Sequence, residues 1–114
     1  MKNATQENKS LKNLNTFGIE AIANQYIQVE DEQVLKDLFS AGAFENEFFI
    51  LGGGSNVLFT KDYPGLIVHV ANKGIQPFIE GNNVFVTAAG GEVWNDLVWY
   101  CIEHDFPGLE NMAL

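Results

Sequence analysis

Three consecutive glycines, Gly52-Gly53-Gly54, separate the apolar run Phe48-Phe49-Ile50-Leu51 from a second one, Val57-Leu58-Phe59-Thr60, with Ser55 and Asn56 in between. Each glycine inside a helix costs about 1 kcal/mol relative to alanine, so no helix runs through this point. The flanking residues are aromatic and β-branched and predict short strands, with the glycines at the end of the first. Two uses of the cluster stay open. It suits a tight connection between strands, and it equally suits an anion nest, in which successive N–H groups converge on a phosphate and Ser55 and Asn56 add side-chain hydrogen bonds. A dinucleotide fingerprint of the GxGxxG type needs a helix immediately afterwards, and here an apolar extended run follows. A Walker A loop needs a lysine directly after its glycines, whereas the first one beyond the cluster is Lys61.

The chain has 114 residues, enough for one domain or two small lobes. Its net charge is -9 and its six basic residues are all lysine, without one arginine. That balance excludes a nucleic-acid partner, which requires clustered cations to neutralise phosphates. It also means that any phosphate bound here depends on backbone N–H groups rather than a guanidinium fork. Cys101 is the single cysteine, set among Trp99, Tyr100 and Ile102, and suits packing rather than a disulfide or a nucleophile. The first fifteen residues lack a signal peptide's apolar core and no run is long enough to span a bilayer, so the expected location is cytoplasmic, without a membrane partner.

Residues 1–12 are polar and aperiodic and predict a flexible tail. A first α/β lobe is expected over 13–68. In it Tyr26 to Val29 forms a strand, Glu30-Asp31-Glu32 places acids at the start of a helix whose face carries Val34, Leu35, Leu38 and Phe39, and Gly42 stops that helix. Phe48 to Leu51, Val57 to Thr60 and Leu66 to Val70 are expected strands. A second lobe is expected over 69–114, with a hairpin of Ile75 to Ile79 and Val84 to Ala88 and a helix from Gly91 to His104.

Other chemistry-bearing residues fit structural roles. His69 alternates with Ile67 in a strand and suits a satisfied structural histidine. His104 and Cys101 are too few for a zinc site, which takes four ligands, so no metal is expected. Glu92 and Asp96 suit helix stabilisation better than acid–base work, and Trp94 and Trp99 suit packing. No catalytic residue is read from the chain, although the aromatic helix around Trp94 to Tyr100 also suits a protein-interaction surface.

Several pieces, in order, carry a family resemblance. They are Asn15-Thr16-Phe17-Gly18, the run Ile50 to Phe59 with its glycines, Gly74-Ile75, Ala88-Ala89-Gly90-Gly91-Glu92-Val93-Trp94, Leu97-Val98, and Pro107-Gly108-Leu109-Glu110-Asn111-Met112-Ala113-Leu114. Over residues 13–114 the chain resembles the N-terminal portion of the UDP-N-acetylenolpyruvoylglucosamine reductases, or UDP-N-acetylmuramate dehydrogenases. The resemblance implies an α+β, two-lobed FAD-binding fold of the vanillyl-alcohol-oxidase type, with the second lobe incomplete. It implies that Leu51, Gly52, Gly53, Gly54, Ser55, Asn56, Val57 and Leu58 surround the FAD pyrophosphate. The family activity is NADPH- and FAD-dependent reduction of UDP-N-acetylglucosamine enolpyruvate, a step of peptidoglycan precursor synthesis. The serine, arginine and glutamate that serve this chemistry in the family match no residue here, and Ser55 matches the FAD-loop serine instead. The resemblance therefore implies a chain inactive by itself, with a C-terminal remainder as its intramolecular partner. The alternative is a stand-alone, non-catalytic flavin- or nucleotide-binding module.

Overall fold

A computed structural model describes residues 5–112. The chain is a mixed α+β protein that divides into two units, Met1–Ala71 and Asn72–Leu114. In the first, strands β1 (Gln6–Ser10), β2 (Ile22–Val29), β3 (Phe48–Leu51) and β4 (Tyr63–Val70) form one sheet in the order β1-β2-β4-β3, and helix α1 (Glu32–Ser40) lies between β2 and β3 in sequence. β1 pairs antiparallel with β2, while β4 is parallel to both of its neighbours.

Two expectations change here. The tail expected over 1–12 is, in its described part, strand β1 followed by the fully buried Leu11; residues 1–4 lie outside the described residues. β1 escapes a hydrophobic pattern because its five residues are all polar and largely exposed, and its ladder with β2 is held by backbone hydrogen bonds. The lobe boundary at 68/69 falls inside β4, whose His69 and Val70 are still in register with Gln28 and Val29.

The sheet is covered by unlike layers. On one face α1 lays Val34, Leu35 and Leu38 over Ile27, Val29, Leu66 and Val68. Asp31 caps this helix by accepting from the Val34 N–H at 3.1 Å, and Gly42, at φ +79°, follows its end. Phe39, expected on the packed face, is largely exposed. The other face, among the described residues, has no α-helix, only the 3-10 turn Lys12–Leu14. Leu11, Leu14 and Ala21 come over it from the segment after β1, and Val57 and Phe59 from the connection between β3 and β4, to pack on Ala23, Tyr26, Leu51 and Ile67. Ala23 and Tyr26 share this face, and the β2–β4 register shifts between Ala23 and Gln25, with the additional residue on β4 between Tyr63 and Leu66. Parallel strands need a crossover connection, and residues 52–62 serve as one through bends and a turn, without helix or strand. Val57 to Thr60 is thus covering chain and not the expected strand. Val57 and Phe59 reach the core from outside the ladder.

The second unit contains an antiparallel hairpin of β5 (Ile75–Glu80) and β6 (Asn83–Ala88), then helix α2 (Trp94–Glu103) and a single 3-10 turn, Glu110–Met112. α2 buries Val98 and Cys101. It begins later than expected, at Trp94, with Val93 still extended at ψ 128°, and Glu92 turns to the hairpin instead, its Oε1 accepting from the Gly74 N–H at 3.1 Å. Among the described residues no helix is long and apolar enough to cross a membrane.

Candidate functional site: the glycine loop

β2, β4 and β3 point the same way, and in open sheets of this kind ligands bind beyond the carboxyl ends of the strands. The glycine loop leaves the sheet at that end of β3. Leu51, fully buried, is its anchor, and Val57 returns to the core on the far side. Between them Gly52, Gly53, Ser55 and Asn56 are exposed, as is Leu58 beyond Val57. A Cβ on Gly52 or Gly53 would meet nothing within 4 Å. No hydrogen bond among the described residues occupies the N–H groups of Gly53, Ser55 and Asn56. The loop thus offers accessible donors and no cation.

Gly54 differs from its neighbours. It is buried at φ +76°, and a Cβ there would lie 2.0 Å from the Leu14 carbonyl oxygen. Its own carbonyl accepts from the Thr16 N–H at 3.0 Å. Of the eight residues expected at the site, Leu51, Gly54 and Val57 therefore hold the loop to the protein, and Gly52, Gly53, Ser55, Asn56 and Leu58 face solvent.

The fold brings the Asn15-Thr16-Phe17-Gly18 segment to this loop, a neighbour that sequence reasoning did not place. Its signal was available in part: asparagine first and glycine fourth suit a β-turn. The Gly18 N–H donates to the Asn15 carbonyl at 3.2 Å, with Gly18 at φ +64°. The Phe17 ring of this turn is exposed.

His69, expected as a satisfied structural histidine, lies one residue before the end of β4 in register with Leu51, and its Nδ1 shares a 2.6 Å hydrogen bond with the Tyr26 hydroxyl, a partner that alternation alone does not name. Burial holds the His69 imidazole below its ordinary value of 6.5 and pushes the Tyr26 phenol above 10.0. The pair is therefore neutral at pH 7. His104, in the second unit, stacks on Tyr100 with ring centroids 4.0 Å apart, and its Nδ1 is 2.8 Å from the Tyr100 carbonyl oxygen. Cys101 is buried. Among the described residues no three His, Cys, Asp or Glu side chains cluster as a metal site would require.

Comparison with known proteins leads, by sequence and by fold, to reductases. In particular, the chain is homologous to part of UDP-N-acetylenolpyruvoylglucosamine reductase. It is 47% identical over 110 residues to the protein of that name from Flavobacterium johnsoniae, covering 96% of this chain and 32% of the relative. The Amoebophilus asiaticus reductase is 41% identical over 111 residues, covering 96% and 33%. The one from Shewanella sediminis is 38% identical over 112, covering 97% and 33%. The chain thus spans about a third of the length of the curated relatives it matches. No family model matches it. Among solved structures, the crystal structure of the reductase from Thermus caldophilus matches with a TM-score of 0.65 at 24% identity, over 98% of this chain and 37% of that one, and shows a shared fold.

Proposed function

We propose that this chain supplies the phosphate-holding part of the FAD site of a cytoplasmic UDP-N-acetylenolpyruvoylglucosamine reductase, an NADPH-dependent enzyme of peptidoglycan precursor synthesis. The observation that carries the reading is an open glycine loop at the carboxyl end of a parallel strand, in a chain 47% identical to a reductase of that name. The loop's chemistry fits the group. A pyrophosphate needs several donors at close approach, and Gly52 and Gly53 leave the backbone bare while Ser55 and Asn56 add a hydroxyl and an amide. With no arginine in the chain and no lysine in the loop, neutral N–H donors are what this loop offers the ligand's charge.

When bound, FAD would carry a hydride from NADPH to the enolpyruvyl carbon of the UDP-sugar substrate. This chain's residues would bind and orient the cofactor by its diphosphate: Gly52, Gly53, Ser55 and Asn56 as donors, Leu51 and Val57 as the loop's anchors, Gly54 as its fixed point, and Leu58 alongside. The fold belongs, on this reading, to the two-lobed vanillyl-alcohol-oxidase type. The rest of such an enzyme is the intramolecular partner. Its need is supported by the β5–β6 hairpin, where Phe78 and Phe85, paired across the strands, are 62% and 53% exposed.

Equilibrium dialysis of the 114-residue chain against FAD tests the site. Saturable retention of one flavin per chain, displaced by ADP, is expected; a folded chain that retains none would overturn the reading. NADPH oxidation with the enolpyruvyl substrate should be undetectable for these residues alone. Turnover would contradict their being only part of the active centre.

A further inference from the structure

We infer that Asn15 is the positioning residue of the glycine loop: its buried side chain fixes the Asn15–Gly18 turn, and the turn holds Gly54 and the neighbouring N–H groups in the arrangement that receives a diphosphate. The inference rests on the FAD reading above and extends it to a residue with no ligand contact of its own.

Asn15 is 8% exposed, and both ends of its amide are used. Nδ2 donates to the Leu11 carbonyl at 2.7 Å and to the Ile19 carbonyl at 3.1 Å, while Oδ1 accepts from the Ile19 N–H at 3.1 Å. These bonds tie the chain before the turn to the chain after it. The turn in its place then meets Gly54 twice, through the Thr16 N–H on the Gly54 carbonyl at 3.0 Å and through the Leu14 carbonyl lying where a Gly54 Cβ would be. Leu14 and Thr16 flank Asn15 directly, so the side chain that orients the turn orients both contacts. Gly52 and Gly53, with open space around them, contribute no packing of their own. The loop is therefore only as ordered as its anchors.

Two variants separate positioning from mere stability. Asn15→Ala removes all three side-chain bonds. Thr16→Pro puts a ring carbon where the N–H met the Gly54 carbonyl, so it removes that hydrogen bond and displaces the carbonyl while leaving the Asn15 side-chain bonds in place: proline suits the second position of such a turn, and Asn15, at φ -138° and ψ 146°, already has the extended backbone required before proline. The readouts are FAD affinity by flavin fluorescence, 15N order parameters of residues 52–56, and amide exchange of β2 and β4, all on the 114-residue chain. Both variants are expected to keep slow exchange in the sheet. Their loop order parameters should fall from about 0.85 towards 0.6. Their FAD affinity should weaken about three- to tenfold, the equivalent of losing one net hydrogen bond's contribution. Wild-type order parameters and affinity in both variants would overturn the inference. So would loss of protection throughout the sheet in both, which would make the role purely structural. If the unaltered chain binds no FAD, the cofactor reading fails, and the order parameters still decide whether Asn15 positions the loop.

Discussion

Gly53 and Gly54 are adjacent, and substitution should separate them sharply. Gly54→Ala puts a Cβ onto the Leu14 carbonyl and a side chain at φ +76°, so it should destabilise the first unit by more than about 2 kcal/mol in urea unfolding. Gly53→Ala meets nothing and should leave stability within about 0.5 kcal/mol while weakening FAD binding. The glycine triplet was plain in the sequence. The division of labour within it was not, because the carbonyl that fixes Gly54 comes from Leu14, some forty residues earlier. His69 gives a second test at this scale. Its folded value lies below 6.5, so below that pH the unfolded chain binds more protons than the folded one. Stability should fall as pH drops from 6.5 towards the lowered folded value, and His69→Gln should flatten that slope in urea melts followed from pH 7 to 5. Alternation in the strand showed which way His69 faces, but not that Tyr26 waits for it on the neighbouring strand.

Among elements, α1 was legible because its signals are local. Asp31, the following acids, the spacing of Val34, Leu35 and Leu38, and Gly42 all lie within one short stretch. Asp31→Ala removes the acceptor for the Val34 N–H and should cost about 1 kcal/mol, read as a lower urea midpoint with an unchanged slope. β1 and the 57–60 segment misled in opposite ways for one reason. Pattern reports burial, whereas a strand is defined by its ladder. Gln6–Ser10 has a ladder and little burial; Val57 and Phe59 have burial and no ladder. The same two covering segments shape the glycine loop's surroundings, since a sheet face roofed by chain after β1 and chain after β3 brings Asn15–Gly18 against Gly54.

At the scale of the whole chain, the net charge of -9 bears on the proposed binding of an anionic cofactor. Long-range repulsion opposes FAD and is screened by salt, so affinity should rise about two- to fivefold between 20 and 200 mM NaCl, opposite to a phosphate site built from cations. Fluorescence titrations at the two salt concentrations check this. The mixed α+β organisation and the kinship with the reductases were both legible before any coordinates, the second from ordered motifs spread over nearly the whole chain. What composition could not convey is which N–H groups of the glycine loop are open and which residues hold the loop in place. The most direct measurement is an NMR titration of the 15N-labelled chain with ADP, with adenosine as the control. The account predicts saturable shifts of the Gly52, Gly53, Ser55 and Asn56 amides with ADP and none with adenosine. Unmoved loop amides, or equal shifts with both, would contradict it.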